Sequence, residues 1–214
     1  MPDLVDEVNE ELRQERAARL ARRFGGLFGT VAILILAAVA GWQGWNWYQS
    51  RQAGITAEAY LASTRDAAAE GADTRAVASR MAALANDAPT GYRVLTRLRA
   101  AALAAEAGDK PAALAIWNQV SADSAADPLY RNLATLMWAT HALEPASAAE
   151  IRTRLTPLAS GPWGASAREM IALAALAAGQ NDEARRALTE LARDDAAPQG
   201  VRDRAQRLLT GIDG

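Results

Sequence analysis

The sequence predicts an all-α chain, with an N-terminal single transmembrane helix followed by an α-solenoid of helix hairpins. Three observations predict it. Residues 24–48 contain no Asp, Glu, Lys or Arg. The remainder is rich in Ala, Leu, Arg and Glu and poor in aromatic and β-branched residues, which favours helices over strands. Chain breakers then recur at nearly even intervals from residue 89 to residue 198. The expected layout is a charged cytoplasmic helical arm at 1–23, the span at 24–48, a linker at 49–54 and a helical repeat domain at 55–214.

The arm begins with acids (Asp3, Asp6, Glu7, Glu10, Glu11) and ends with arginines (Arg16, Arg19, Arg22, Arg23). Acids suit the positive start of a helix, Asp3 is a cap candidate, and Glu15 with Arg19 has pairing distance at i,i+4. Its apolar stripe (Leu4, Val5, Val8, Leu12) is thin, so the arm reads as solvated.

The span comes next. About 25 residues at a rise of 1.5 Å make a helix of roughly 37 Å, against a hydrocarbon core of about 30 Å. Leu27, Phe28, Val31, Ile33, Leu34, Ile35, Leu36 and Val39 together favour the bilayer by about 3–4 kcal/mol. Five arginines precede the span and Arg51 stands alone after it until Arg65. The positive-inside bias therefore puts the N-terminus in the cytoplasm and the C-terminal domain outside. Trp42, Trp45, Trp47 and Tyr48 suit an aromatic belt at the outer interface. Gly25 and Gly29 make a GxxxG, a spacing that lets helices approach closely in lipid. Two rival readings are weaker. Ala38-Val39-Ala40 before Gly41 matches a leader-cleavage pattern, but the preceding region is long and starts with acids. A buried core helix is ordinarily shorter than this uncharged run.

The breakers after the span are Pro89-Thr90-Gly91, Gly108-Asp109, Asp127-Pro128, Glu144-Pro145, Gly161-Pro162, Gly179-Gln180 and Pro198. They fall about 16–20 residues apart, so a helix pair spans about 34–39 residues, the period of helix–turn–helix solenoids. Asp127 before Pro128 marks a helix start. Ser147 with Glu150 and Ser166 with Glu169 have capping-box spacing, the second inside a helix expected from about Trp163. The second helices repeat one face: Ala113, Trp117, Val120; Ile151, Leu155, Leu158; Ala184, Leu188, Leu191. Partner helices offer Leu95, Leu98, Ala102; Leu129, Leu133, Leu136; Met170, Leu173, Ala177. Residues 198–210 suit a closing helix through Val201, Ala205, Leu208 and Leu209. Residues 55–70 and 74–86 form another pair, anchored by Tyr60, Leu61, Met81 and Leu84.

These residues resemble tetratricopeptide repeats. Gly108-Asp109, Ala113 and Trp117 match the short turn, small residue and aromatic of the second helix, as do Gly179, Ala184 and Leu188. The middle unit departs, with Glu144-Pro145 in place of the glycine turn. The whole layout resembles the family of the ancillary SecYEG translocon subunit (YfgM-like). The characteristic stretches are Pro162-Trp163 through Glu169, Leu173 through Gly179, Asp182-Glu183-Ala184 and Pro198 to Arg204. The resemblance implies a membrane-tethered periplasmic protein of the bacterial inner membrane, near the Sec translocon and a periplasmic chaperone, that assists exported clients. A cell-envelope or cell-division scaffold of the same fold is the alternative. The resemblance transfers no binding residues.

Residue chemistry points to binding and away from catalysis. The chain has no cysteine and one histidine, His141, too few for thiolate or imidazole metal sites. Asp182-Glu183 and Asp194-Asp195 sit near helix ends, where capping explains them. No phosphate loop, nucleophile elbow or dinucleotide fingerprint occurs. Net charge is −2, which excludes a strong nucleic-acid field. No cofactor, metal or small-molecule substrate is expected, and the protein reads as no enzyme. Candidate groove residues for a protein partner are Tyr92, Tyr130, Trp138 and Trp163, each also placed where the core could take it.

Overall fold

A computed structural model describes the backbone of residues 4–213 and the side chains from residue 29 to residue 212. Helices are the regular structure throughout: α1 (Leu4–Ala68), α2 (Thr74–Asp87), α3 (Thr90–Glu106), α4 (Lys110–Ala122), α5 (Pro128–Ala142), α6 (Ala148–Leu155), α7 (Gly164–Ala177), α8 (Asn181–Ala192) and α9 (Gln199–Asp213). Short 3-10 turns, Pro145–Ser147 and Thr156–Leu158, flank α6. The expected all-α class holds among the described residues.

The chain divides into two compact units, Met1–Arg51 and Gln52–Gly214. In the first, residues 29–50 are helical and their side chains are exposed, including Val31, Ile33, Leu34, Ile35, Leu36 and Val39. Trp45 and Tyr48 stand 6.4 Å apart between ring centroids, and Arg51 lies over Trp47 at 5.5 Å. Among the described residues, no helix is long and apolar enough to cross a membrane. The span expected at 24–48 includes Phe24, Gly25, Leu27 and Phe28, whose side chains lie outside the described residues. The Asp3 cap, the Glu15–Arg19 pair and the Gly25 half of the GxxxG also lie outside them. Residues 49–54, expected as a linker, are helical within α1, and the unit boundary falls inside them.

The second unit is a two-layer stack. Successive helices from α2 to α5 and from α6 to α9 pack on one another, and α5 packs on both α6 and α7. Odd-numbered helices also touch in order, α3 with α5, α5 with α7, and α7 with α9. Each hairpin therefore pairs an odd, first helix with an even, second helix. Three hairpin turns share one device. Gly71, Gly108 and Gly179 have φ of 73°, 75° and 74°, the left-handed region that glycine enters without a Cβ penalty. After Gly108 the chain closes with Asp109 N–H on Ala104 O at 2.8 Å, and after Gly179 with Gln180 N–H on Ala175 O at 2.8 Å. Asp73 and Asp109 then cap the next helix by accepting from Ala76 N–H at 3.0 Å and Ala112 N–H at 3.2 Å.

The second-helix faces are buried as expected: Ala113, Trp117 and Val120; Ile151, Leu155 and Leu158; Ala184, Leu188 and Leu191. The first-helix faces are partly different. Leu95, Leu129 and Leu61, expected at packing positions, are exposed. On α3 the buried positions are Val94, Thr96, Ala100, Ala101, Leu103 and Ala104. A first helix packs against neighbours on several sides, so its buried surface is broad, and alanines fill the close approaches. The core forms two clusters, a large one through α2–α7 and a smaller one of Ala172, Leu188, Leu191, Ala197, Val201 and Ala205.

Two caps are corrected. Ser147 makes no side-chain cap for α6. It is the third residue of the preceding 3-10 turn, where its Oγ accepts from Glu144 N–H at 3.1 Å and donates to Ala142 O. Proline at 145 forces that tighter turn in place of the glycine device. Ser166 and Glu169 form no box either, because Glu169 is buried and engaged by Arg204. Asp127 does cap α5, accepting from Leu129 N–H at 2.7 Å.

Candidate protein-binding face

The four groove candidates separate by burial. Trp138 is 6% exposed and packs in the core under the Arg154 guanidinium, 3.9 Å above its ring. It offers almost no surface to a partner. Tyr92 and Trp163 are half-buried, and Tyr130 is 39% exposed. Trp163 donates its indole N–H to Leu129 O at 3.0 Å, which holds the start of α7 beside the residue preceding Tyr130. No ring contact joins Tyr92 to Tyr130 or Trp163 among the described residues. Exposed Leu95 on α3 and exposed Leu129 and Tyr130 on α5 place apolar side chains on neighbouring first helices. A further open groove of about 540 Å³ lies between α8 and α9, lined by Arg185, Thr189, Arg193, Gln206 and Leu209 among others.

Trp117 and His141 stack at 4.5 Å between centroids, so the histidine lids a buried indole. His141 is itself exposed, and the partial loss of water around its ring, with the nearby Lys110 charge adding to it, pushes its pKa down. Among the described residues no group of three His, Cys, Asp or Glu could hold a metal ion.

A set of cross-helix ties, unread in the sequence, holds the loops that follow the second helices. Asp123 follows α4. One carboxylate oxygen accepts from Ala125 N–H at 3.1 Å, and the other meets Arg93 at 3.1 Å and Arg97 at 3.6 Å. Asp194 follows α8 and repeats the arrangement, accepting from Ala196 N–H at 3.0 Å and from Arg168 at 2.5 Å. The next alanines, Ala126 and Ala197, are buried in both loops. Burial alone would raise the Asp123 carboxyl, but the bonds from Ala125 and Arg93 and the charges of Arg93 and Arg97 outweigh it and hold it below the usual carboxylate range. The hydrogen bond from Arg168, then that from Ala196, hold Asp194 low as well. The signal was present in the sequence as Asp-Ser-Ala-Ala at 123–126 and Asp-Asp-Ala-Ala at 194–197. Between α7 and α9, Arg204 grips Glu169 with two bonds of 2.6 and 2.7 Å. Arg154 bridges α6 to Asn118 of α4 at 2.6 Å, and Arg152 bridges α6 to Glu183 of α8 at 3.0 Å.

A stack of helix hairpins with a recurring second-helix face, in which a glycine turn and a loop-closing aspartate return in the α3–α4 and α7–α8 hairpins, is the pattern of a helical repeat protein. No curated protein and no solved structure matches the chain. The tetratricopeptide repeat-like domain matches residues 21–209, and the chain belongs to that family.

Proposed function

We propose that the protein is a membrane-anchored adaptor that binds other proteins through its repeat unit, with no catalytic role. Tetratricopeptide repeat-like domains generally mediate protein–protein contacts, and this family assignment supports the binding role. The observation that carries the surface assignment is the exposure of Leu95, Leu129 and Tyr130 on neighbouring first helices, where a partner's apolar side chains gain contact area. The anchor rests on the uncharged run at 24–48, which adds Phe24, Leu27 and Phe28 to the exposed Val31, Ile33, Leu34, Ile35, Leu36 and Val39. Water would meet the exposed Val31, Ile33, Leu34, Ile35, Leu36 and Val39, and a bilayer would take them in. The arginine asymmetry supports an N-terminus in the cytoplasm and a repeat unit in the periplasm. Tethering raises the effective concentration of the repeat unit for membrane partners, so weak surface contacts suffice.

The resemblance to the ancillary translocon subunit supports a place beside the Sec translocon, with exported chains and a periplasmic chaperone as partners. The test is crosslinking in cells from a photoreactive residue at position 95 or 130, with partners identified by mass spectrometry. Translocon components and exported proteins are the expected captures. Division proteins in their place would favour the envelope-scaffold alternative. No specific capture at either position would sink the adaptor reading.

A further inference from the structure

The loop ties expose an exception in the middle repeat. Thirty residues separate Arg93 from Asp123, the pair that closes the α3–α4 repeat. The same interval carries Arg131, on α5, to Gly161, in the loop after α6. The register is fixed by more than the arginine. Tyr92 precedes Arg93 as Tyr130 precedes Arg131, and buried Trp117 and Val120 correspond to buried Leu155 and Leu158. In the α7–α8 repeat the acid returns as Asp194, three residues after buried Leu191, just as Asp123 follows Val120 and Gly161 follows Leu158.

Arg131 therefore occupies a position whose matching loop residue is a glycine in place of an acid. Its Nε is buried and lacks a hydrogen-bond partner, and no ion pair reaches its guanidinium among the described residues. Arg168 also has an unsatisfied Nε, yet its other nitrogen holds Asp194. Arg202, at the matching place on α9, donates to Ala197 O at 2.5 Å and Asp195 O at 3.3 Å. The nearest preceding acid, Asp127, is committed to Leu129 N–H. Arg131 is half-buried, and burial of its Nε strips water from that donor, a loss that a carboxylate partner offsets. Gly161 leaves room for the start of a side chain. A Cβ built on Gly161 meets only Leu158 O, at 3.6 Å, which is ordinary contact. Exposed Tyr130 precedes Arg131 on α5, and half-buried Trp163 donates to Leu129 O at the same end of that helix.

We infer that Arg131 is a recognition site for a carboxylate on a bound polypeptide, an aspartate or glutamate flanked by apolar residues. The partner supplies the acid that the middle repeat lacks, and Tyr130 and Trp163 receive its neighbours. The inference rests on the adaptor reading and names the chemistry that reading leaves open.

The test uses the full chain in non-ionic detergent, with acetyl-Leu-Glu-Leu-amide and acetyl-Leu-Gln-Leu-amide as probes. The readout is the nitrogen–proton signal of the Arg131 Nε, assigned by its loss in Arg131→Met. The glutamate peptide should shift this signal and bind about tenfold more tightly than the glutamine peptide, the scale of one charge-assisted bond. Gly161→Asp should raise the melting temperature and abolish the response, because its own carboxylate fills the place. Gly161→Asn, of equal size and without charge, should keep the response, which separates charge from any disturbance of the loop. Equal binding of both peptides, or an undiminished response in Gly161→Asp, would overturn the site. Inorganic phosphate shifting the signal with no effect of the glutamate peptide would overturn the assignment to a polypeptide carboxylate. Crosslinked partners that persist unchanged in Arg131→Met would remove this site and leave the adaptor reading standing, whereas a wild-type chain that captures no partner while still binding the peptide would remove the adaptor reading alone.

Discussion

Replacing Trp117 by alanine tests whether the second-helix faces carry the fold. Trp117 is 2% exposed, lies between Ala113 and Val120 on the inner face of α4, and is lidded by His141. It heads the fully buried side chains by volume. Its loss removes the transfer energy of a large ring and leaves a cavity that surrounding alanines cannot fill, because their side chains have no length to give. The expected cost is about 3–5 kcal/mol. For a unit the size of Gln52–Gly214, each kcal/mol moves the melting temperature by about 2–4 °C, so the shift should be about 6–20 °C. Thermal and urea melts of residues 52–214, followed by helical circular dichroism, give both numbers. Trp163→Ala is the internal control. That side chain is half-buried and carries one hydrogen bond, so its loss should cost clearly less. A Trp117→Ala shift within about 2 °C, or one smaller than that of Trp163→Ala, would refute the reasoning.

Three further outcomes follow from named contacts. Arg204→Met strips both bonds from buried Glu169 and should destabilise the unit by about 1–3 kcal/mol, moderated because the arginine itself reaches water; a urea midpoint unchanged from wild type would show that Glu169 is satisfied otherwise. Gly164→Ala puts a Cβ 2.5 Å from the Ala159 carbonyl oxygen, a backbone atom with nowhere to go, and should cost about 1–3 kcal/mol, whereas Gly161→Ala should be tolerated in the same melt. Asp123 and Asp194 have carboxyls held below their unfolded values, so their contribution is present above the ordinary aspartate pKa near 3.8 and is lost as pH falls through the folded values; stability measured from pH 7 down should drop below about pH 4, and the double Asp123→Asn, Asp194→Asn variant should show a shallower fall.

The second-helix faces were legible in the sequence because each places a large or branched residue at helical spacing against solvent-facing polar ones. The first helices were legible only in part, since Leu136 and Met170 are buried as expected. Leu95 and Leu129 fit an apolar stripe, yet the structure buries Thr96 and Ala134 and leaves those leucines outside. Alanine tolerates either environment, so an alanine-rich helix has no strong period to read. The turn glycines were legible at 108 and 179 because only a left-handed residue closes those hairpins. The loop aspartates were missed because an acid near a helix end reads as a cap or a solvated charge. Only the pairing with an arginine some thirty residues earlier gives Asp123 its role, and no local pattern carries that distance. Trp138 and Trp163 show the same limit for the binding face: the sequence treats two tryptophans alike, and the fold buries one and half-exposes the other.

The same composition explains why the repeat unit can afford an exposed apolar surface. Close approach of alanine-lined helices yields little burial per residue, so the core depends on a few large side chains, Trp117, Met81, Leu103, Ile151, Leu155, Leu188 and Leu191. Cross-helix arginine ties then fix loops that apolar packing leaves underdetermined, through Asp123 and Asp194. With loops held by charge, Leu95, Leu129 and Tyr130 need not serve the core. The middle repeat differs in both respects, having neither the glycine turn nor the loop acid. Its departure cannot be relaxed packing, since Ile151 and Leu155 are as deeply buried as their counterparts in α8. The departure lies in the turns instead: the eight-residue α6 is flanked by the 3-10 turns Pro145–Ser147 and Thr156–Leu158, which take the place of the glycine hairpin.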